Sequence, residues 1–337
     1  MRVFQVEGEW GMDNLKLSQR PEPVAGPGQV LVRMKASSLN YRDLVVPERG
    51  YGSYTGTLPL IPISDGVGVV CDVGAGVRRV AVGDRVCPTY FQNWTGGEPD
   101  LERLTQSLGG PIDGTMADIM CLSEQGVVKV PAYLSDVEAA TLPCAALTAW
   151  SALSTLNSIK AGDRVLVQGC GGVALFALQF ARLLGAHVTV ITSTDERMNR
   201  VRQLGADAVI NYRTVPEWAK ATRDITLGRG YDLIVELGGE KTLPQSLRCI
   251  RPGGTVAMIG ILSGTSMTTS LGLIITRQVR LQGVTVGHRD GFEAMLRAMD
   301  QHKVRPIVDR SFGFEELKEA MAYLKSGAQF GKVCIAH

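Results

Sequence analysis

The run Arg164-Val165-Leu166-Val167-Gln168, followed at once by Gly169-Cys170-Gly171-Gly172-Val173-Ala174 and then by an almost wholly apolar stretch ending at Gly185, constrains this chain most. A short apolar strand, a glycine turn and a helix form one βα unit. The first glycine permits the tight turn, the second lets backbone approach a pyrophosphate, and a small residue at the third position allows close packing of helix on strand. Unpaired N–H groups at the helix start favour phosphate. Gly169, Gly171, Gly172 and Val173 are therefore candidate cofactor contacts. The context supports this reading: HVTVIT, ADAVIN, YDLIVEL, GGTVAMIG and VRLQGVTVG follow as short apolar runs separated by helix-length segments. Strands alternating with helices predict a parallel, doubly wound sheet of the Rossmann type.

Upstream the pattern differs. Up to about residue 126 the chain reads as short β-rich runs (QVLVRM, GVGVVCDVG, DRVCP) broken by Gly and Pro, which predicts an antiparallel, barrel-like domain. Beyond Arg289 come an amphipathic segment, FEELKEAMAYLKSG, and a last strand, KVCIAH, expected to return to the first domain. With 337 residues, two domains fit the usual size of a core. A net charge of +2 gives no field for nucleic acid. No apolar run reaches membrane-spanning length, and the start MRVFQVEGEW lacks the charged-then-apolar pattern expected of a signal peptide. The seven cysteines, at 71, 87, 121, 144, 170, 249 and 334, form no C-x-x-C pair. A cytoplasmic protein with reduced thiols is expected, without a membrane partner.

The second Rossmann-type strand ends Ile191-Thr192-Ser193-Thr194, where an NAD enzyme usually places an acid on the ribose 2′-OH. Thr192 and Ser193 leave that gate uncharged, and Arg197 follows on the next helix. NADPH is therefore the expected cofactor. Asp195 and Glu196 suit the first turn of that helix.

Motifs along the whole chain resemble the medium-chain dehydrogenase/reductase family: Gly28-Gln29-Val30-Leu31-Val32, Asn40-Tyr41-Arg42-Asp43, Val82-Gly83-Asp84-Arg85-Val86, Leu147-Thr148-Ala149-Trp150, Gly162-Asp163-Arg164-Val165-Leu166-Val167 and Leu204-Gly205-Ala206-Asp207. The resemblance implies an α/β chain with a split barrel-like (GroES-like) catalytic domain, 1–126 and 289–337, and a Rossmann domain, 127–288, with the active site in the cleft between them. At the family's zinc-ligand positions stand Asn40, Ser64-Asp65 and Cys144, and the structural-zinc lobe, PTYFQNWTGGEPDLERLTQSLGG, contains no cysteine. The chain is thus similar to the zinc-free quinone oxidoreductase, or zeta-crystallin-like, branch, with no metal.

That branch implies hydride transfer from NADPH to a small electrophilic acceptor, a quinone or an α,β-unsaturated carbonyl. Asn40, Tyr41, Asp43, Tyr51 and Thr148 are the expected catalytic residues, with Tyr54 and Trp94 further lining candidates. Tyr212 stands where quinone oxidoreductases place a tyrosine beside the 2′-phosphate. Gly260, Ile261, Leu262, Val284 and Val286 fall where relatives contact the nicotinamide through backbone, and Arg289 and Lys332 are expected near cofactor phosphates. Relatives pair their outer Rossmann strands, so Arg280–Val286 implies a homodimer. Tyr51 lies near the proton-donor tyrosine of enoyl thioester reductases, which keeps that activity as an alternative; a non-catalytic, NADPH-binding zeta-crystallin-like role is another.

Overall fold

A computed structural model describes every residue except 267 and 270. Contacts divide the chain into two compact units, 1–147 with 286–337, and 148–285. Residues 127–147, which the sequence reading gave to the second domain, lie in the first. The reason is local: strand 127–129 pairs with strand 85–88.

In the first unit β1 (Arg2–Val6) and β2 (Leu15–Gln19) form an antiparallel pair. The main sheet is built on β3 (Gln29–Leu39), β4 (Asp65–Val73), β5 (Arg85–Pro88), β6 (Ile119–Ser123) and β7 (Val127–Lys129). β3 is antiparallel to both β4 and β6, with register breaks after Leu31 and Met34. Such irregularities bend a strand and let a sheet curl. Val30, Val32, Val70, Val86 and Leu122 fill one core and Val3, Leu39, Ile63 and Met116 another.

The second unit carries β8 (Arg164–Gln168), β9 (His187–Thr192), β10 (Ala208–Asn211), β11 (Tyr231–Glu236), β12 (Ile250–Met258) and β13 (Arg280–Gly283). They form one parallel sheet in the order β10-β9-β8-β11-β12-β13. The helix Gly172–Leu183 buries Ala174–Leu178, Phe180 and Ala181. Gly185, at φ +80°, follows its end, a left-handed position that glycine takes without steric cost. The last strand is shorter than its alternating sequence implies: Val284 still donates to Met258 O, but Val286 adopts φ +52°. That conformation is an outlier for a β-branched residue and lies beyond the last ladder pair, at Gly283.

The chain then returns to the first unit through the helix Arg289–His302, β14 (Val308–Gly313), the helix Leu317–Lys325 and β15 (Lys332–Ala336). β15 lies between β14, to which it is parallel, and β3, to which it is antiparallel.

Candidate functional site

The glycine turn of the second unit leaves β8 and enters the long helix at Gly172. Gly169 adopts φ +82°, and its N–H is held by Ile191 O at 2.7 Å. At Gly171 the backbone is extended, and an added Cβ would meet nothing within 4 Å. Open space beside a backbone that opens a helix of 12 residues is the cradle a pyrophosphate requires, so a dinucleotide fits here. Cys170 turns inward, its Sγ 3.4 Å from Thr192 Oγ1.

Thr192 and Ser193 at the end of β9 are both buried. Thr192 thus supplies an uncharged strand end rather than a hydroxyl aimed at a ribose, a correction to its expected role as a direct contact. Arg197 is half-buried on the helix Asp195–Gln203, whose start is capped by the Thr194 hydroxyl. Tyr212 is exposed and donates its N–H to Thr192 O at 2.9 Å. The Asp195 carboxylate accepts from Asn211 Nδ2 at 2.9 Å, so the acid nearest the strand end is already bonded. Ser193, Arg197 and Tyr212 therefore share one end of the sheet. The N–H groups of Gly260, Leu262 and Val284 are bonded within the second unit, to Glu236 O, Leu237 O and Met258 O. Any nicotinamide contact there would have to come from other backbone groups.

In the first unit a charged cluster is buried where β3 ends. The Lys332 ammonium donates to Leu39 O and to Asn40 Oδ1, both at 2.6 Å, and the residue is only 3% exposed. Asp43, fully buried on the short helix Arg42–Val45, accepts the Asn40 N–H at 2.7 Å and lies 3.8 Å from the Arg42 guanidinium. Burial raises its carboxyl to about 6, against the pull of Arg42 and the Asn40 N–H. Asp65 accepts from Ser64 Oγ at 2.7 Å and from Cys144 N at 3.1 Å; burial raises its carboxyl too, opposed chiefly by Lys332. The preceding Ile63 is held at φ +72° with its carbonyl bonded by Thr115 N–H. Burial, then Asp65, pushes the Cys144 thiol up. As a zinc cradle this set fits poorly: an amide oxygen already bonded by an ammonium, a serine, one carboxylate and one reluctant thiol. Among the described residues, no group of three or more His, Cys, Asp or Glu side chains could hold a metal ion.

Asn40 and Asp43 are thus brought together, whereas Thr148 belongs to the second unit, buried between wide π-type turns at Leu142–Ala146 and Ser151–Thr155. Tyr41, Tyr51 and Tyr54 are all exposed. Tyr51 lies in the field of Arg42 and Asp43, and partial burial raises its phenol. Trp94 is instead a packing residue, its Nε1 on Gly97 O and its ring edge-on to His288. One further expectation is corrected: Lys332 is an internal cation of the first unit, not a surface group aimed at phosphate. Arg289 is bonded to Gln125 and Asp290 of its own unit. Sequence reasoning also missed Glu236, whose side chain is buried at the end of β11. The one signal was a second acid, after Asp232, closing the apolar run Leu233–Val235 of the strand YDLIVE.

Glycine turn, helix start and strand order define a dinucleotide-binding α/β protein. Residues 26–132 match the alcohol dehydrogenase GroES-like domain, and residues 172–301 match the zinc-binding dehydrogenase family. The chain is 41% identical over 332 residues to a zinc-type alcohol dehydrogenase-like protein of Schizosaccharomyces pombe, covering 96% of each. It superposes on a solved NAD-dependent alcohol dehydrogenase with a TM-score of 0.91, at 31% identity and full coverage of both chains. A crotonyl-CoA carboxylase/reductase in complex with NADP gives a TM-score of 0.89 at 25% identity, covering 100% of this chain and 94% of that one. The chain belongs to the medium-chain dehydrogenase/reductase family, as an oxidoreductase with a GroES-like domain and a Rossmann domain.

Proposed function

We propose that this protein is an NADPH-dependent, zinc-independent reductase of conjugated acceptors, quinones or α,β-unsaturated carbonyls. The observation that carries the reading is the buried cluster. Where the resemblance places zinc ligands, Asn40 holds an ammonium at 2.6 Å and Ser64-Asp65 forms its own hydrogen bond. A cation fixed by the chain occupies the role of charge balance. NADPH, when bound, supplies the hydride. A conjugated acceptor takes hydride at carbon while its electrons move to oxygen, so the protein has only to orient it and offer a proton. Tyr51 is the candidate donor, because its phenol lies in the field of Arg42 and carries a proton at neutral pH as any tyrosine does. The test is NADPH oxidation with a panel of quinones, enones, enoyl thioesters and simple aldehydes, run in a strong chelator. Turnover of quinones or enones should persist. One zinc per chain with activity lost on chelation would overturn it.

The second reading, an enoyl thioester reductase, is favoured by the likeness to the crotonyl-CoA carboxylase/reductase. Preference for enoyl thioesters in the same panel would select it, and no turnover of any acceptor would select the non-catalytic NADPH-binding role.

NADPH is proposed over NADH because the uncharged end of β9 admits a 2′-phosphate and Arg197 lies on the next helix. Arg197→Ala is expected to weaken NADPH at least about tenfold while leaving NADH nearly unchanged, the effect of losing charge-assisted bonds of about 1.5–3 kcal/mol. Titration calorimetry with both cofactors checks it; equal affinities in the unaltered protein would refute the preference.

A homodimer is proposed through the sheet edge. Every residue of β13 is exposed, and Ile261, Leu262, Leu271 and Ile275, all 57–70% exposed, belong to the same unit. A bare edge strand with apolar exposure invites a partner. Sedimentation should give twice the chain mass at micromolar protein, and a monomer there would count against pairing.

A further inference from the structure

The order of the six-stranded sheet reverses between β8 and β11, since β9 and β10 lie on one side and β12 and β13 on the other. In such sheets ligands bind outside the carboxyl ends of the strands at that reversal. The last residues of the two flanking strands are Gln168 and Glu236, both nearly inaccessible, at 5% and 1% exposure. Gln168 Nε2 donates to Glu236 Oε2 at 2.7 Å and to Ser246 Oγ at 3.0 Å. Gln168 Oε1 accepts the N–H groups of Leu237 and Gly238 at 3.1 and 3.2 Å. Glu236 Oε1 accepts the N–H groups of Gly238 and Gly239 at 3.0 and 3.1 Å and the Thr242 hydroxyl, while Oε2 also accepts from Ser246 Oγ. The Glu236 carbonyl accepts Ile259 and Gly260 N–H.

Gln168 Nε2, the N–H groups of Gly238 and Gly239 and the Thr242 and Ser246 hydroxyls converge on the Glu236 carboxylate, which can only accept when ionised. The side chain thereby fixes the 237–239 turn and ties it to the strand that feeds the glycine loop at Gly169, while the backbone carbonyl of the same residue holds the segment entering Gly260. Gln168, Glu236 and Ser246 are all too buried to be ligand contacts themselves. We infer that Glu236 and Gln168 are positioning residues that hold the second mononucleotide half, built on β11–β13, in register with the phosphate loop, so that the nicotinamide end of the dinucleotide meets a preformed surface. The inference rests on the dinucleotide reading of this unit. The adenosine end is bound by the other half, at the ends of β9 and β10, so the network should matter for the whole dinucleotide and not for its adenosine fragment.

The experiment is calorimetric titration of the full-length protein and its Glu236→Gln variant with NADPH and, separately, with adenosine 2′,5′-bisphosphate, alongside thermal unfolding. An amide at 236 turns one acceptor into a donor facing donors. NADPH affinity should fall at least tenfold and that of the bisphosphate should stay within twofold. Equal losses for both ligands, which a general loosening of the fold would produce, overturn the assignment, as does no loss for either. Should Glu236→Gln fail to fold, Gln168→Met, which removes the amide at similar length, is read by the same split. If the unaltered protein binds neither ligand, the dinucleotide reading itself falls.

Discussion

Gly171→Val is expected to leave the protein folded and to cost at least about a hundredfold in dinucleotide affinity, about 2.7 kcal/mol. At this position the backbone is extended, φ −77° and ψ −175°, and an added Cβ touches nothing. Neither backbone strain nor a clash at Cβ therefore penalises the folded state, and losing a glycine at the helix cap costs about 1 kcal/mol. The branched side chain would instead stand where a pyrophosphate must come close to backbone. Gly260→Ala is the useful contrast, because its Cβ would lie 2.2 Å from the Leu237 carbonyl oxygen and must displace backbone. Fluorescence titration with NADPH, paired with thermal unfolding, checks the outcome. Undiminished binding by Gly171→Val would remove the glycine turn from the cofactor site.

Lys332→Met should destabilise the first unit by about 3–5 kcal/mol at neutral pH, the scale on which a buried charge left without its partner is felt. The ammonium is inaccessible and faces Asn40, with Asp65 and Asp43 in its field. The pH dependence has a definite sign. Both carboxyls sit above their ordinary range in the folded protein, so the native state keeps protons that the unfolded chain loses; for Asp43, at about 6, that happens as pH rises from about 4 to 6. The cost from Asp43 is therefore complete above about pH 6 and relieved in acid, and Asp65 contributes with the same sign. Without Lys332 both groups move higher still, and the gap between variant and parent should narrow as pH falls from 7.5 towards 5. Urea midpoints at the two pH values measure it, and a difference independent of pH would mean that packing, not charge, was lost.

Much of the second unit was legible because its signals are local. RVLVQ, HVTVIT, AVIN and YDLIVE are runs that only a sheet covered on both faces can bury, and the glycine turn fixes where the first helix begins. What failed was direction and pairing across distance. Lysine near a chain end reads as solvated, yet Lys332 is drawn inside because β15 runs beside β3 and delivers it to Asn40. Thr192 was assigned to the ribose by position along the strand, but its side chain faces Cys170. VRLQGVTVG reads as one alternating run, yet its apolar positions change phase at Gly283, where the strand stops, and Val286 beyond it takes a left-handed backbone that alternation does not report. Glu236 was passed over because one acid at a strand end says nothing of the donors that converge on it from the following turn and helix.

The place of β15 also has a consequence for biogenesis. Ser38 on β3 bonds Val333 on β15 across 295 residues of chain. At a ribosomal pace of about 5–20 residues per second, β3 waits roughly 15–60 s for that neighbour, while the contiguous second unit is synthesised in between. During the wait its edge is open to strangers. The residues that face β15 are Ala36, Ser37, Ser38 and Leu39, two of them hydroxylic. Once β15 arrives, both hydroxyls are buried, with Ser37 bonded to Thr115 Oγ1 at 2.8 Å and Ser38 to the Val333 carbonyl at 3.3 Å. A nascent edge written in serine is less adhesive than one written in valine, and the finished sheet consumes that polarity from within.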